Sequence, residues 1–379
     1  MFRKKINLLS ISLDKNILKQ RFSDAQRRQL EYAGYFKNYT VIVLTSKKEG
    51  FKTKKIKNLK IIPTNSSVKL FSIFDAIKIA LRENKKTPFD LITVQDPIAT
   101  GLIGVILKFI LKKPLNIQLH SEFIFSKNWI RERWIHRFWV PLISWQLNQA
   151  DSIRVDNRAK LAKLRQQLPN LKAKIFQAPM RVNLDFFWKK PRKKKKIKKL
   201  ISVGRLVKEK NFPLLIRAMK TVIKKYPNTT LTIIGGGPER LAIEKEIERG
   251  ALSKNIRLTG PLSREKVRNH LWKSDLFVLS SNYEGWGLVF VEALASGLPI
   301  VATKVSSAGE LVKNNKNGFI VPVSDEKGLT RGIISLIENP EKAYKFAKNG
   351  QAEIYKKFKP QKLVRLWIKG LYETAKIKP

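Results

Sequence analysis

At 379 residues and 43% hydrophobic content, the chain is large enough to bury two ordinary domain cores, which argues against wholesale disorder. It has no cysteine, so disulfide bonds and thiolate metal sites are excluded, and a cytoplasmic location is expected. Lysine and arginine (77) far outnumber aspartate and glutamate (29), and the formal net charge of +48 predicts a surface that attracts polyanions.

The basic charge does not by itself identify a partner, because nucleic acid, anionic lipid and an anionic substrate all fit it, as does a lysine-rich compositional bias. The first residues lack the long apolar region and cleavage site of a signal peptide, so none is predicted. The most apolar segment, residues 101–114, is interrupted by Lys108 and is shorter than the roughly 20 residues of a membrane span. A buried or interfacial helix is predicted there.

Short β-rich runs alternate with longer helical patterns through the first half of the chain. The runs are INLLSIS, YTVIVLTS, LKIIPT, FDLITVQ, LNIQLH and ADSIRV. This alternation predicts parallel βαβ units and a first domain over residues 1–180. His120 ends one of these strands, at the sheet edge where open α/β sheets place their ligand crevice. Its imidazole can donate to a phosphate or a sugar hydroxyl, although a lone histidine more commonly has a structural role.

The segment between the two halves, APMRVNLDFFWKKPRKKKKIKKL, combines proline with a run of lysines. Such a composition predicts a solvated linker, over residues 181–198. The alternation then resumes with KLISVGRL, TTLTIIGG, KNIRLTG, DLFVLSS, PIVATKV and GFIVPV, which predicts a second domain over residues 199–356. Residues 357–379, with Trp367 and Leu371 at helical spacing, predict a C-terminal helix that returns to the first domain.

The most informative segment is DLFVLSSNYEGWGLVFVEALASGLPIVAT. It predicts a buried strand over residues 275–281, a turn over 282–287, and a helix over 288–296 that ends at Gly297. The start of such a helix offers N–H groups and a positive dipole end, which suit a phosphate.

Two glycines and two glutamates accompany this turn and helix. Gly285 and Gly287 would let the backbone approach a ligand, and Glu284 lies between them and the strand. Glu292 lies inside an otherwise apolar helix, where a carboxylate needs a partner. The two hydroxyls of a sugar or ribose diol are one such partner, while a structural ion pair or an interaction with the helix dipole are the alternatives.

A second set of candidates follows the first strand of this half, in ISVGRLVKEKNFPLLIRAM. Arg205 comes just past the strand, Lys210 lies in the same loop, and Asn211 with Pro213 predicts a helix start. Two cations at the carboxyl edge of a parallel sheet can neutralise a diphosphate. In so basic a chain, ordinary surface charges are the alternative.

Other loops give weaker signals. The glycines of LTIIGGGPERLAI fit either phosphate binding or close packing. The loop with Ser306, Ala308, Gly309 and Glu310 either leaves space for a ligand or only connects two elements. No Walker A, HExxH or Asp-x-Asp pattern occurs, so no metal site is predicted.

Taken together, these motifs resemble the retaining GT-B glycosyltransferases of family GT4. The resemblance rests on Glu284-Gly-Trp-Gly with its spacing to Glu292, on Val203-Gly-Arg-Leu with Lys210, on GGGPER, and on EALASGLPIVAT. It implies an α/β fold of two Rossmann-like, doubly wound domains that face each other across a cleft. It also implies a hexosyltransferase whose donor is a nucleotide-diphosphate sugar and which needs no further cofactor.

The resemblance also implies a role for each candidate residue. Arg205 and Lys210 would bind the donor diphosphate, Glu292 the ribose hydroxyls, and Glu284 a hydroxyl of the transferred sugar. The backbone of Gly285, Trp286, Gly287 and Leu288 would hold sugar and phosphate, and His120 matches the family's cleft histidine. The chain departs from the family after its first strand, where Ser23 and Asp24 stand near the usual Gly-Gly turn, so the acceptor is left open.

The sequence therefore predicts metal-independent, retaining sugar transfer to a glycan or lipid-linked acceptor, in cell-surface glycan or glycolipid synthesis. The charge predicts an anionic membrane surface as partner and a peripheral position on the inner face of the plasma membrane. Its basic segments are residues 108–113, 131–137 and 189–199. A nucleic-acid-binding protein is the alternative from charge, but no RRM, KH or zinc pattern supports it, and no specific nucleic acid is expected. A GT-B sugar epimerase is the alternative within the fold.

Overall fold

A computed structural model describes residues 4–19, 24–120, 130, 134–305 and 308–376. The chain divides into two compact units, unit 1 with residues 1–179 and 363–379, and unit 2 with residues 180–362. Both are α/β units with parallel sheets, as the alternating β and α patterns predict. None of the helices within the described ranges is long and apolar enough to span a bilayer.

Unit 1 is built on a sheet whose described strands follow the order β3-β4-β2-β1-β5-β6-β7-β8. The strands are β1 (Asn7–Ser12), β2 (Asn38–Val43), β3 (Lys54–Ile56), β4 (Leu59–Pro63), β5 (Leu91–Val94), β6 (Leu115–Leu119), β7 (Ser152–Val155) and β8 (Lys174–Gln177). Among the described strands of this sheet, only the edge strand β3 pairs antiparallel, with β4. The strands β5 and β6 are buried along their whole length; β5 is almost wholly apolar, whereas β6 also buries Asn116 and Gln118.

The helices of unit 1 cover this sheet. They are α1 (Asn16–Lys19), α2 (Asp24–Ala33), α3 (Ser72–Lys86), α4 (Ala99–Leu111), α5 (His136–Gln149) and α6 (Arg158–Gln167). The C-terminal helix α15 (Pro360–Thr374) adds its residues from Leu363 onward to the same core. Its Trp367 ring lies 4.4 Å from the Tyr32 ring, and the Tyr372 hydroxyl donates to the Tyr35 carbonyl at 2.7 Å.

Unit 2 has a parallel sheet with the order β11-β10-β9-β12-β13-β14 among its described strands. They are β9 (Lys199–Val203), β10 (Thr230–Ile234), β11 (Ile256–Leu258), β12 (Leu276–Leu279), β13 (Ile300–Thr303) and β14 (Gly318–Val321). The helices are α7 (Leu184–Phe187), α8 (Phe212–Lys225), α9 (Arg240–Arg249), α10 (Arg264–Lys273), α11 (Leu288–Ala295), α12 (Ala308–Leu311), α13 (Glu326–Glu338) and α14 (Pro340–Lys357). This strand order is that of a doubly wound nucleotide-binding sheet.

Candidate active site

The strand order of unit 2 reverses between β9 and β12, which are hydrogen-bonded neighbours. Open parallel sheets bind their ligands outside the carboxyl ends of the strands at this switch point, because the two following connections leave toward opposite faces. The loop after β9 carries Arg205 and Lys210, and the turn after β12 carries Glu284. The topology therefore brings together residues that lie more than 70 positions apart in the sequence.

Two asparagines tie these connections together. The Asn211 side chain accepts from the Leu214 amide at the start of α8 and donates to the Asn282 side chain at 2.9 Å. The Asn282 amide in turn donates to the Glu209 carbonyl at 2.8 Å. Asn211 adopts a left-handed backbone with φ of 45°, a conformation that asparagine tolerates better than most residues. The loop that presents Lys210 is thus held against the turn that presents Glu284.

Lys210 and Glu284 form a buried ion pair at the centre of this arrangement. The Lys210 ammonium donates to Oε1 of Glu284, and the Ser281 hydroxyl donates to the same oxygen at 2.8 Å. The Ser280 hydroxyl donates to the Lys210 carbonyl at 3.0 Å. The side chains of Lys210 and Glu284 are only 14% and 7% exposed, so their charges are weakly screened by water.

The helix after the turn begins and ends as its sequence predicts. Gly287 is the N-cap of α11 with φ of 62°, and no side chain among the described residues caps this end. Leu288 opens the helix, and the Phe290 amide donates to the Gly287 carbonyl. At the other end Gly297 has φ of 70°, and the Gly297 and Leu298 amides bond back to the last turn. The uncapped start of α11 points amide groups and a positive dipole end at the switch point.

The other charged candidates are less enclosed. The Arg205 side chain is 76% exposed, with its guanidinium 3.2 Å from the Glu209 carboxylate. Glu292 is half-buried on α11 rather than fully enclosed, and its Oε1 lies 4.0 Å from the Arg264 guanidinium. That guanidinium also lies over the Phe187 ring, 5.0 Å from its centroid. A structural ion pair and a ligand-binding role for Glu292 are both compatible with this geometry.

The glycine-rich turn after β10 serves close packing. A Cβ at Gly235 would lie 1.8 Å from the Gly204 carbonyl oxygen, and one at Gly237 would lie 2.3 Å from the Leu206 carbonyl oxygen. The Leu206 amide donates to the Gly236 carbonyl at 2.9 Å. These glycines let the backbone around Arg205 pass close to the neighbouring connection, which accounts for them without a phosphate.

The remaining candidates have varied surroundings. Gly285 is half-buried in the turn, whereas Trp286 is almost fully buried, with its ring 5.7 Å from the Phe358 ring, so the indole packs into the core. Ala308, Gly309 and Glu310 lie on the short helix α12. Asp24 begins α2, while Ser23, Ser306 and the start of the predicted basic segment at residues 131–133 lie outside the described residues. Among those that are described, no group of three or more His, Cys, Asp or Glu side chains is placed to hold a metal ion.

His120 belongs to unit 1, at the carboxyl end of β6, while the other proposed site residues belong to unit 2. Its Nε2 lies 3.2 Å from Oε1 of Gln118, and that oxygen also accepts from the Arg154 guanidinium at 2.8 Å. The Lys160 ammonium donates to the His120 carbonyl at 2.9 Å and pairs with Asp156 at 2.7 Å. Burial, reinforced by the cations Arg154 and Lys160, holds the pKa of His120 well below its usual range.

Sequence reasoning missed this support of His120. Arg154 and Asp156 are buried polar residues at and just past the end of β7, and Lys160 is four positions after Asp156 on α6. Charged residues are almost never fully buried unless they are paired. The spacing of Asp156 and Lys160 at the carboxyl edge of a predicted strand was the signal that could have revealed them.

A pH dependence of unit 1 stability follows from the His120 environment. The folded-state pKa is depressed, so below about pH 6.5 the unfolded chain binds a proton that the folded chain does not, and stability falls as pH falls. We expect His120→Asn to reduce the slope of unfolding free energy between about pH 7 and pH 5. Urea denaturation across that range checks this, and His270→Asn on α10, whose half-buried imidazole also has a lowered pKa, should change the slope less. Equal slopes for His120→Asn and the unaltered protein would contradict the assignment.

Comparison with known proteins shows similarity to glycosyltransferases. Residues 185–353 match the family model of glycosyl transferases group 1. The chain is 33% identical over 151 residues to the alpha-monoglucosyldiacylglycerol synthase of Acholeplasma laidlawii, a match that covers 40% of this chain and 37% of that protein. It is 27% identical over 302 residues to an uncharacterized glycosyltransferase of Methanocaldococcus jannaschii, covering 79% of this chain and 80% of the relative.

The solved structures agree on the fold. Sucrose-phosphate synthase from Thermosynechococcus elongatus superposes with a TM-score of 0.81 at 20% identity, covering 97% of this chain and 98% of that one. HepE of Anabaena, solved in complex with UDP and glucose, superposes with a TM-score of 0.75 at 19% identity, covering 97% and 100%. These similarities confirm the predicted fold class, two Rossmann-like α/β domains of the GT-B type.

Proposed function

We propose that the chain moves a sugar from a nucleotide-diphosphate donor to a hydroxyl acceptor with retention of configuration. Its residues 185–353 match the glycosyl transferases group 1 family. The observation that carries this proposal is the meeting of Lys210, Glu284 and the uncapped start of α11 at the switch point of unit 2. A cation and a positive helix end favour a diphosphate, and a carboxylate beside them can accept from a sugar hydroxyl.

The chemistry follows from where charge develops. Departure of the nucleoside diphosphate builds negative charge, which Arg205, Lys210 and the start of α11 would stabilise. Glu292 would accept from the two ribose hydroxyls, and the acceptor would attack the face from which the diphosphate leaves, with the leaving phosphate as base. This route needs no metal, so chelators should leave turnover intact.

The proposed acceptor is a glycan or a lipid-linked molecule, and the proposed partner is an anionic membrane surface. The net charge of +48 supports attraction to anionic lipid, and the relative from Acholeplasma laidlawii is named for the synthesis of a glucosylated diacylglycerol. A role in cell-surface glycan or glycolipid synthesis, at the inner face of the plasma membrane, fits both. The charge does not call for a specific nucleic acid.

The proposal is tested by screening UDP-, GDP- and ADP-sugars for thermal stabilisation of the protein. A donor that binds the folded state alone raises the melting temperature in a concentration-dependent manner. Stabilisation by one base class, with a smaller effect of the corresponding nucleoside, is expected. If no nucleotide sugar stabilises the protein at millimolar concentration, the donor assignment fails.

We expect Arg205→Ala to weaken binding of the nucleoside diphosphate by about 10- to 150-fold, because one hydrogen bond to a charged group contributes roughly 1.5–3 kcal/mol. Affinity for the nucleoside should stay the same, since the guanidinium is assigned to phosphate. Calorimetric titration of both ligands measures this. Arg217→Ala is the matched control, because Arg217, on α8, is also an exposed arginine paired with a glutamate, Glu326, at 2.8 Å. An equal loss for nucleoside and diphosphate would overturn the assignment.

A further inference from the structure

Most of the large hydrophobic side chains that are exposed among the described residues lie on one layer of unit 1. Helix α4 packs between α3 and α5 on the sheet, so the outward sides of these three helices adjoin. Aromatic rings dominate the exposed set on this layer: Phe71, Phe74, Phe109, Trp134, Phe138 and Trp145. Monomeric proteins rarely expose so many apolar side chains together, and where they do the patch usually binds a protein, a membrane or a ligand.

On α5 and in the turn before it, the exposed apolar residues follow one side of the helix. Trp134, Phe138, Pro141 and Trp145 recur at intervals of three and four residues, and all are exposed, with Trp134 at 75%. The Trp134 and Phe138 rings contact each other edge to face, with centroids 5.9 Å apart. Positions spaced in this way lie on one side of a helix. The opposite side of α5 already packs into the core through Ile143 and Leu147.

The exposed charges around this layer are mainly positive, with the half-buried Asp75 on α3 as the exception. Lys78 and Arg82 are exposed along the outward side of α3, Lys112 follows α4, and Arg137 is exposed on α5. The sequences of α4 and α5 contain no aspartate or glutamate. On α3, Glu83 is buried and paired with Lys60, so it does not offset the exposed cations.

We propose that the outward sides of α3, α4 and α5, here called the aromatic face, dock the protein on an anionic lipid bilayer. Aromatic rings would enter the boundary between headgroups and acyl chains, and the surrounding cations would bind lipid phosphates. This rests on the membrane partner proposed above and gives it a location on unit 1, whereas the lysine run at residues 189–199 belongs to unit 2. A second copy of the chain is disfavoured as occupant, because it would bring like charges together across the interface.

The test compares vesicle binding of the unaltered protein with that of Trp134→Ser/Phe138→Ser/Trp145→Ser. Vesicles of phosphatidylcholine with phosphatidylglycerol, and of phosphatidylcholine alone, are sedimented with each protein at low and high salt. The triple variant should bind anionic vesicles at least roughly a hundredfold more weakly, since three buried rings are lost. The remaining binding should disappear at high salt, whereas the unaltered protein should keep a salt-resistant part.

Two controls separate the aromatic face from the rest of the surface. Leu241→Ser removes a side chain that is 71% exposed on α9 of unit 2, and it should bind vesicles like the unaltered protein. Neutralising Lys193 to Lys196 should reduce only the salt-sensitive part of binding. The single substitution Trp134→Ser disturbs the fold least and tests insertion of that ring. Lipids brominated in their acyl chains should quench the tryptophan fluorescence of the unaltered protein more than that of Trp134→Ser.

Several outcomes would overturn the proposal. One is equal vesicle binding by the triple variant and the Leu241→Ser control. Another is equal binding of the unaltered protein to neutral and anionic vesicles. Loss of self-association in the triple variant would assign the aromatic face to a second copy of the chain. Tight, salt-resistant RNA binding that requires the aromatic rings would assign it to nucleic acid. Stabilisation by nucleotide sugar in solution reports on the proposed enzyme separately, so either idea can fail while the other stands.

Discussion

Replacing Lys210 with methionine is expected to lower the unfolding free energy of unit 2 by about 3 kcal/mol, because it leaves the Glu284 carboxylate buried without its cation. The Ser281 hydroxyl would remain as a partner of that carboxylate, but it carries no charge. The same variant should lose measurable affinity for a nucleotide-diphosphate donor. Chemical denaturation and titration with the donor identified by thermal stabilisation measure the two effects.

The double variant Lys210→Met/Glu284→Gln provides the internal control. Removing both charges removes the uncompensated ion, and the glutamine oxygen can still accept from Ser281, so most of the lost stability should return. Donor binding should stay lost. Lys225→Met breaks an exposed pair with Glu338 and should leave unfolding little changed. Additive losses in the double variant would show that the two side chains contribute independently.

The ion pair between Lys210 and Glu284 suggests that the two residues bind the donor together, whereas the sequence assigned them separate roles. An ammonium has three N–H donors, so Lys210 can keep its bond to Glu284 while it turns another N–H toward a phosphate. Lys210 would then fix the direction of the Glu284 carboxylate, and a donor that engages both residues would find them already oriented. Preorganisation of this kind lowers the cost of binding.

The fold was largely predictable because buried parallel strands have a simple signature. A strand covered on both faces is mostly apolar, and such runs mark β5, β12 and β13 between helical patterns. The ends of α11 were equally predictable, because a left-handed backbone conformation favours glycine and the sequence has Gly287 and Gly297 at the two ends.

Contacts between distant residues were not predictable from spacing. Lys210 and Glu284 meet only because β9 and β12 are neighbours, which depends on the order of the whole sheet. Local composition left phosphate binding and close packing both open for Gly235 and Gly237, and their closest neighbours are backbone oxygens of the adjacent loop. A glycine needed for close packing and one needed for ligand approach look the same in a sequence.

Glu292→Ala is expected to weaken donor binding by a hundredfold or more while leaving the ligand-free protein as stable as before or slightly more stable. Two hydrogen bonds from ribose hydroxyls to one carboxylate, at roughly 1.5–3 kcal/mol each, account for that loss. Glu292 lies among the buried apolar residues of α11, where a carboxylate is costly to desolvate, so its removal also relieves that cost in the ligand-free protein. Little stabilisation should therefore be lost.

Arg264 decides between this reading of Glu292 and a structural ion pair. If the carboxylate mainly forms an ion pair with Arg264, then Glu292→Ala and Arg264→Ala should each destabilise the ligand-free protein. The double variant should then lose no more unfolding free energy than the more destabilised single variant. If it serves the ribose, the double-variant cycle should show little coupling in stability, and Arg264→Ala should retain donor affinity. The stacking of Arg264 on Phe187 is lost in both the single and the double variant, so it cancels from the cycle. Strong coupling in stability together with unchanged nucleotide affinity in Glu292→Ala would remove Glu292 from the proposed donor site.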